Sequence, residues 1–233
     1  AAGETKKLGW KRSIMEGIKL IKKILNRFRT KGESLISKTS WEIYKEYINI
    51  HPSVIIDPSA SVKIFNPPNP PKICLEIEEG SHIFSSFNLL RPESTIHIGK
   101  RCQLGNSLFI SADSIEVGDD VIMAWGGTVI DSDNHSIYWN ERQYDVERCR
   151  NDYLSTKGMD IARSHDWSKV NSSKVTINNK AWIGFNVSIL KGVTIGEGAI
   201  IGAESVVTSD VKPWHIGAGN PFKHIRPVKE NRE

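Results

Sequence analysis

The stretch VTINNKAWIGFNVSILKGVTIGEGAIIGAESVV, residues 175–207, repeats one apolar position every six residues. This period fits neither an α-helix, with about 3.6 residues per turn, nor a strand, with a period of about two. It fits short strands joined by tight corners, so that the same position stacks from one coil to the next. The repeated side chains are all branched aliphatics: Ile177, Ile183, Ile189, Ile195, Ile201 and Val207.

Tight corners and upstream repeats extend this pattern. Glycine follows three of the repeated residues, at Gly184, Gly196 and Gly202, where a small residue lets the backbone turn closely. Shared spacing favours one all-β solenoid over residues 50–228 rather than unrelated strands. The prolines of residues 66–71 indicate an excursion from it. The upstream runs are Ile50, Ile56 and Val62; Ile77, Ile83 and Leu89; Ile98, Leu104 and Ile110; and, one residue out of phase, Val117, Met123 and Val129.

Two longer segments fall outside the six-residue period. Residues 131–174 lack it for 44 residues, a length that usually indicates function, and we predict a long inserted loop there. Residues 1–49 are predicted as a basic helical segment. Residues 1–31 contain ten Lys or Arg and two Glu, which gives this segment a charge of +8. Because the whole chain has a net charge of +4, the remaining residues carry −4. Residues 229–233 form a tail.

The apolar residues of the N-terminal segment recur at steps of three and four, which draws one stripe along a helix. A basic amphipathic helix of this kind suits an anionic membrane surface, including the inner membrane surface. It equally suits packing on the rest of the protein or on a neighbouring subunit, which is the interpretation we favour.

Composition limits the class of protein. The three cysteines, Cys74, Cys102 and Cys149, have irregular spacing that predicts neither a disulfide framework nor a structural zinc site. No apolar run approaches the roughly 18 residues of a spanning helix, and the start of the sequence has no signal-peptide pattern. We therefore expect a cytoplasmic protein.

The sequence DSDNHS, residues 131–136, places a histidine among acidic and polar residues where the period stops. Imidazole titrates near neutral pH, so His135 is suited to remove a proton from an alcohol that attacks a thioester. Asp131 or Asp133 would hold the second ring nitrogen, and we favour Asp133 as the orienting residue. The alternative is a solvated loop histidine.

Residues 180–227, and above all the motifs AWIG, GVTIG, SVVT and AGNP, resemble the hexapeptide-repeat acyltransferases. The resemblance is closest to the sugar, capsule and lipopolysaccharide O-acetyltransferases. It covers residues 96–228 strongly, 50–95 weakly and 1–49 not at all. It implies a left-handed parallel β-helix that assembles as a homotrimer. The implied reaction is transfer of an acetyl group from acetyl-coenzyme A to a hydroxyl of a sugar, nucleotide sugar or glycan, with His135 as general base. We expect no nucleic-acid partner.

The resemblance further implies that coenzyme A lies between neighbouring β-helices. Two positions depart from the family pattern, since Ser209 stands where lysine is common and Lys223 where arginine is common. The resemblance places cofactor contacts at Trp182, Phe185, Ala203, Thr208, Ser209, Lys223 and Arg226. Trp182 is equally suited to packing.

Aromatic and charged side chains in the inserted segment suit a sugar or an anionic glycan, so we predict that it binds the acceptor. A subunit-contact arm is the alternative. The coil before the histidine adds two positions near those that bind acceptors in the family. The predicted acceptor-binding residues are Asn106, Asp113, Tyr138, Trp139 and Arg142.

Three other functions account for the sequence less well. A metal-dependent enzyme of the γ-carbonic-anhydrase type needs three histidines, two of them five residues apart, and the seven histidines contain no such pair, so we expect no metal. N-acetylation of an amino sugar or antibiotic would use the same base and the same cleft. A non-catalytic β-helix scaffold would explain the repeat but would leave DNHS and the C-terminal motifs without a role.

Overall fold

The computed structural model describes residues 39–228. The predicted helix of residues 1–31 and the tail of residues 229–233 lie outside this range. The elements before the interruption of the period are α1 (Ser40–Ile43), β1 (Ile48–Ile50), β2 (Ile55–Ile56), β3 (Ser61–Ile64), β4 (Leu75–Ile77), β5 (His82–Ile83), β6 (Ser86–Leu89), β7 (Thr95–Ile98), β8 (Gln103–Leu104), β9 (Leu108–Ser111), β10 (Ser114–Val117), β11 (Ile122–Met123) and β12 (Thr128–Ile130).

The chain then leaves the coils and returns to them. The excursion holds two α-helices and one 3₁₀ helix, and the coils resume with two-residue and three-residue strands. These later elements are α2 (Trp139–Arg142), α3 (Asp145–Ser155), the 3₁₀ helix (Trp167–Lys169), β13 (Val175–Ile177), β14 (Trp182–Ile183), β15 (Ser188–Ile189), β16 (Thr194–Ile195), β17 (Ile200–Ile201), β18 (Val206–Val207), β19 (His215–Ala218) and β20 (Lys223–Pro227).

From β1 to β18, strands three apart in the chain pair with each other, which produces three sheets, and β19 and β20 extend the second sheet beyond β17. The first sheet has the order β1-β4-β7-β10-β13-β16, the second β2-β5-β8-β11-β14-β17-β19-β20, and the third β3-β6-β9-β12-β15-β18. Pairing is parallel throughout the described strands except for the antiparallel hairpin β19–β20. Each coil therefore gives one strand to each sheet, as in a parallel β-helix. This arrangement is consistent with the left-handed β-helix expected of the hexapeptide repeat.

The six repeated aliphatics lie in the core, as predicted. Each is at most 1% exposed. Ile177 pairs with Ile195, Ile183 with Ile201 and Ile189 with Val207, so identical positions of successive coils stack on one another. One coil thus takes three hexapeptides, and the period of the sequence becomes the period of the structure.

The upstream phase prediction is wrong at one position. Phe109, not Ile110, is buried, and it pairs in register with Phe87 and Val129. The corner between β8 and β9 is one residue shorter than a six-residue spacing requires, so that alternation along the strand turns Ile110 outward. Ile50 and Ile56 are only half-buried because β1 and β2 are the edge strands of their sheets.

Residues 131–174 are a helical excursion rather than the predicted loop. Its two ends are fastened to each other: Ser132 and Ser172 form an antiparallel bridge, and Ser173 N donates to Asp131 O at 2.8 Å. The buried Asp131 carboxylate accepts hydrogen bonds from Ser111 Oγ at 2.7 Å and from the backbone of Ala112 at 2.7 Å. Burial nevertheless raises the pKa of Asp131 above its ordinary value. The root of the excursion is therefore held against β9.

Within the part of the chain that the structure describes, no helix has both the length and the apolar character needed to cross a membrane.

Candidate active site

His135 lies near the start of the excursion, and its side chain is 56% exposed. Its Nδ1 lies 2.8 Å from Oδ2 of Asp145, the first residue of α3. A carboxylate accepts hydrogen bonds, so the proton resides on Nδ1 and the lone pair on Nε2. The Asp145 side chain is only 6% exposed, and Arg148 Nη1 donates to its Oδ1 at 3.2 Å. This arrangement orients the ring as a base.

The prediction that Asp133 orients His135 is wrong. The Asp133 carboxylate instead forms an ion pair with Lys191, Oδ1 to Nζ 2.7 Å, and accepts a long hydrogen bond of 3.4 Å from Asn171 Nδ2. Asp131, the other candidate, is occupied at the root of the excursion. Asp145, ten residues after His135, orients the ring instead, because the turn of α2 and the start of α3 bring its carboxylate back to His135.

A second histidine completes the cluster. His165 Nδ1 lies 3.9 Å from Oδ1 of Asp145, and its ring meets that of His135 edge-on, with 5.4 Å between the centroids. Burial is the main cause that lowers the pKa of His165, and the positive charge that His135 can carry adds to it. His165 also packs edge-on against Trp167, at 4.6 Å between centroids. The second oxygen of Asp145 is thus shielded by a buried ring.

The same three residues bear on the question of a metal. Donor atoms of His135, Asp145 and His165 lie within 4.8 Å of one another, and they are the one such group among the residues from 39 to 228. Two of these atoms are already joined directly by the 2.8 Å hydrogen bond. This hydrogen bond is a geometry that suits proton transfer by the His135 ring.

A cavity of about 240 Å³ opens beside His135. One wall is the outer face of the third sheet, where Asn88 and Ile110 are neighbours in register, together with Phe65 and Leu90. The other wall comes from the excursion. Its lining residues are Asn134, His135, Asp145, Cys149, Ile161, Ala162, His165 and Trp167. Both walls belong to one chain, and the base lies between them.

None of the predicted acceptor-binding residues lines this cavity. Tyr138 and Trp139 are exposed at the start of α2. Arg142 Nη1 donates to the carbonyl oxygens of Ser136, at 3.0 Å, and Ile137. Its guanidinium therefore secures the turn after His135. Their role as acceptor ligands stays a prediction, as does that of Asn106 and Asp113, which lie at corners before and after β9.

The predicted cofactor positions lie elsewhere on the coils. Trp182 projects from the second sheet and is 54% exposed, while Phe185 stands at the following corner. Ala203, Thr208 and Ser209 occupy later corners, and Lys223 and Arg226 lie on β20. Among the described residues, no hydrogen bond, ion pair or ring contact joins these positions to His135.

Sequence reasoning missed several residues of the site. Asp145 carried no signal, since it is one acidic residue among many in a non-periodic segment. His165 and Trp167 lie in that segment as well, and only the folded excursion shows which histidine meets Asp145. Trp125 was also missed: it is exposed, and its ring stacks on that of Phe185 with 6.5 Å between centroids. The sequence signal that could have identified Trp125 is an aromatic residue at a corner between two strands.

Comparisons with known proteins agree with this fold. Residues 174–209, which span β13 to β18, match the family model "Bacterial transferase hexapeptide (six repeats)". A putative acetyltransferase of Staphylococcus aureus (strain MRSA252) is 48% identical over 54 residues, or 23% of this chain and 27% of that protein. Galactoside O-acetyltransferase of Escherichia coli (strain K12) is 30% identical over 138 residues, or 59% of this chain and 56% of that protein.

Solved structures share the fold. The polySia-specific acetyltransferase NeuO aligns with a TM-score of 0.58 at 24% identity, over 80% of this chain and 74% of that chain. A variant of AntD, an N-acyltransferase from Bacillus cereus in complex with dTDP and coenzyme A, aligns with a TM-score of 0.55 at 19% identity, over 78% and 84% of the two chains. In sequence, the chain spans between about a quarter and about half of the length of the two relatives named above. Its residues 174–209 match the hexapeptide repeats of bacterial transferases, and these relatives bear the names of acetyltransferases.

Proposed function

We propose that the protein is an acetyl-coenzyme A-dependent O-acetyltransferase that acts on a hydroxyl of a sugar or glycan. The observation that carries the proposal is the 2.8 Å contact between His135 Nδ1 and Asp145 beside a cavity. In the neutral ring this contact assigns the proton to Nδ1, so that Nε2 is the basic nitrogen. The sequence relatives named as acetyltransferases support the reaction type.

His135 performs the proton transfers. Its Nε2 accepts the proton of the acceptor hydroxyl as that oxygen attacks the thioester carbon, and the ring then carries a positive charge that the Asp145 carboxylate stabilises. The carbon–sulfur bond breaks as the ester forms, and Nε2 returns the proton to the departing thiolate. The products are an acetate ester and free coenzyme A. No acyl-enzyme is required.

Acetyl-coenzyme A supplies the activated acetyl group, and the exposed side chains of the coils fit such a ligand. Trp125 and Phe185 stack in an exposed position, which offers a flat aromatic surface, and Trp182 is exposed close by in sequence. Lys223 and Arg226 are exposed on β20, and neither takes part in an ion pair within residues 39–228, so both are available to phosphate groups. Ala203, Thr208 and Ser209 complete the proposed cofactor surface.

A homotrimer in the cytoplasm completes the proposal. Exposed apolar residues support self-association, because Ile122 and Trp182 are neighbours in register on the outer face of the second sheet. Contact between two subunits there would place a cofactor cleft along the corners that carry Phe185.

The test measures thiol release from acetyl-coenzyme A with a panel of sugars and nucleotide sugars, and identifies the products by mass spectrometry. We expect His135→Ala to lower kcat by about a hundredfold to ten-thousandfold while coenzyme A still binds. Asp133→Asn is the matched control and should keep most of the activity. Matched amino sugars in the panel decide between ester and amide formation, since the same base serves an amine. Near-normal turnover of His135→Ala would refute the proposal.

A further inference from the structure

The cavity beside His135 has a chemical character of its own. Six of its twelve lining residues are apolar or aromatic: Phe65, Leu90, Ile110, Ile161, Ala162 and Trp167. Lysine and arginine are absent from its lining within the described residues, and its only carboxylate is that of Asp145. The cavity therefore offers apolar surface, polar side chains without Lys or Arg, and a single carboxylate.

The neighbouring cations are already engaged. Arg148 Nη1 bonds to Asp145 at 3.2 Å. Lys63 Nζ donates to Gly158 O at 3.4 Å and lies 4.4 Å above the ring of Phe65. An anionic group placed in the cavity would lose its hydration and meet the Asp145 carboxylate, while no lysine or arginine lines the cavity to pair with it. The site therefore disfavours acidic sugars at the position next to the base.

Three polar groups of the lining have no partner among residues 39–228. The side-chain amide of Asn88 makes no hydrogen bond, and it projects from the third sheet beside Ile110. His165 Nε2 and Trp167 Nε1 are buried without a partner. Buried polar atoms are normally satisfied, so the two ring nitrogens are suited to a hydrogen-bonding group of a ligand, such as a hydroxyl. The half-buried Asn88 side chain lines the same cavity. An amide both donates and accepts, which suits a hydroxyl neighbouring the one that reacts.

The size of the cavity limits what enters it. At about 240 Å³ it lies below the roughly 300–1,000 Å³ of sites for drug-sized ligands. It is large enough for one sugar ring, and any further rings of an oligosaccharide would lie outside it.

We propose that this cavity binds one uncharged, deoxygenated sugar ring, whose methyl group packs on Ile110 and Leu90 while its hydroxyls face Asn88 and His135. The proposal rests on the proposed function, because the base defines which end of the cavity holds the reacting hydroxyl. It names a class of acceptor, the neutral 6-deoxyhexoses, and excludes uronic acids from the reacting position.

The experiment uses the full chain and two matched series of methyl glycosides. The first is D-fucose, D-galactose and D-galacturonate, which differ only in bearing CH₃, CH₂OH or COO⁻ at C5, and the second is the corresponding D-gluco series. Binding is measured by saturation-transfer NMR and titration calorimetry, and transfer by thiol release. The protein is expected to accept the galacto or the gluco series. In that series, we expect affinity and kcat/KM to be at least tenfold higher for the CH₃ sugar than for the COO⁻ sugar, with the CH₂OH sugar between them.

A cation placed in the cavity should weaken this discrimination. We expect Ile110→Lys to reduce the methyl-to-carboxylate ratio at least tenfold, and Ile161→Lys, on the opposite wall, to act in the same direction should the first variant fail to fold. Val146→Lys is the control, because Val146 lies on α3, is 81% exposed and does not line the cavity. It should leave the ratio unchanged.

The outcomes separate this proposal from the proposed function. Neutral rings that bind in the expected order without any transfer from acetyl-coenzyme A would overturn the function and support the cavity. Binding or transfer that favours a uronate, or the absence of binding by every neutral member, would overturn the cavity proposal. An unchanged ratio in both folded lysine variants would do the same.

Discussion

The coils and the excursion differ in how their contacts are specified by the sequence. In the coils, residues such as Ile189 repeat the same contact in each turn, with Val129 on one side and Val207 on the other. In the excursion, His135 and Asp145 make a contact that occurs once and is specified by two helices. Repetition produces a rigid support, and departure from repetition produces a site. Stability and chemistry are therefore expected to respond to different mutations.

The largest effect should come from the excursion. In Asp145→Asn, the amide can donate to Nδ1 and so place the ring proton on Nε2, which removes the lone pair that the reaction needs. We expect kcat to fall by about a thousandfold or more, with the melting temperature within a few degrees of the wild type. Thiol-release kinetics and circular dichroism measure the two quantities. A loss of activity that merely follows unfolding would contradict the separation of the two regions.

The coils should show the opposite response. Ile189 is completely buried, so Ile189→Ala removes packed methyl groups and leaves a cavity, at a cost of about 2–5 kcal/mol in the free energy of unfolding. Val146→Ala in α3, where the side chain is 81% exposed, should cost less than about 0.5 kcal/mol. Chemical denaturation measures both variants. Equal costs would mean that the repeat is not the main source of stability.

The difference between the regions also explains what could be predicted. The six aliphatics of residues 177–207 were identified because each residue's neighbour in the next coil lies at a constant sequence distance. Ile110 was misassigned because Phe109 is apolar too, and the length of a corner leaves no mark in an apolar pattern. Asp145 could not be identified, since its pairing with His135 depends on where two short helices turn. Periodic contacts are readable from sequence, and single contacts need the fold.

A smaller effect should appear as pH falls. Burial lowers the pKa of His165, so the charged form is disfavoured in the folded state. The stability that neutral His165 supports is complete above its ordinary pKa near 6.5 and is lost as pH falls through the lowered value. We expect the free energy of unfolding to decline below about pH 6.5, and His165→Gln to reduce that decline. Denaturation curves between pH 5 and 8 measure it, and identical pH dependence in both proteins would contradict the burial argument.

The smallest effect should come from the ion pair that joins the two regions. Asp133 Oδ1 lies 2.7 Å from Lys191 Nζ, and this contact links the start of the excursion to the corner after β15. Both side chains are partly exposed, so the pair is screened by solvent and is expected to contribute at most about 1 kcal/mol to folding.

Asp133→Ala should therefore change turnover by no more than a few-fold, because the root of the excursion is held independently by Asp131, Ser132 and Ser172. Lys191→Ala should behave in the same way, and the effect of the double variant should differ from the sum of the two single effects by at most about 1 kcal/mol, because the pair is weak. Thiol-release kinetics at low and high salt measure this. A large loss of activity in Asp133→Ala but not in Lys191→Ala would give Asp133 a role at the base after all. Equal large losses in both would show that the coil positions His135 through this ion pair.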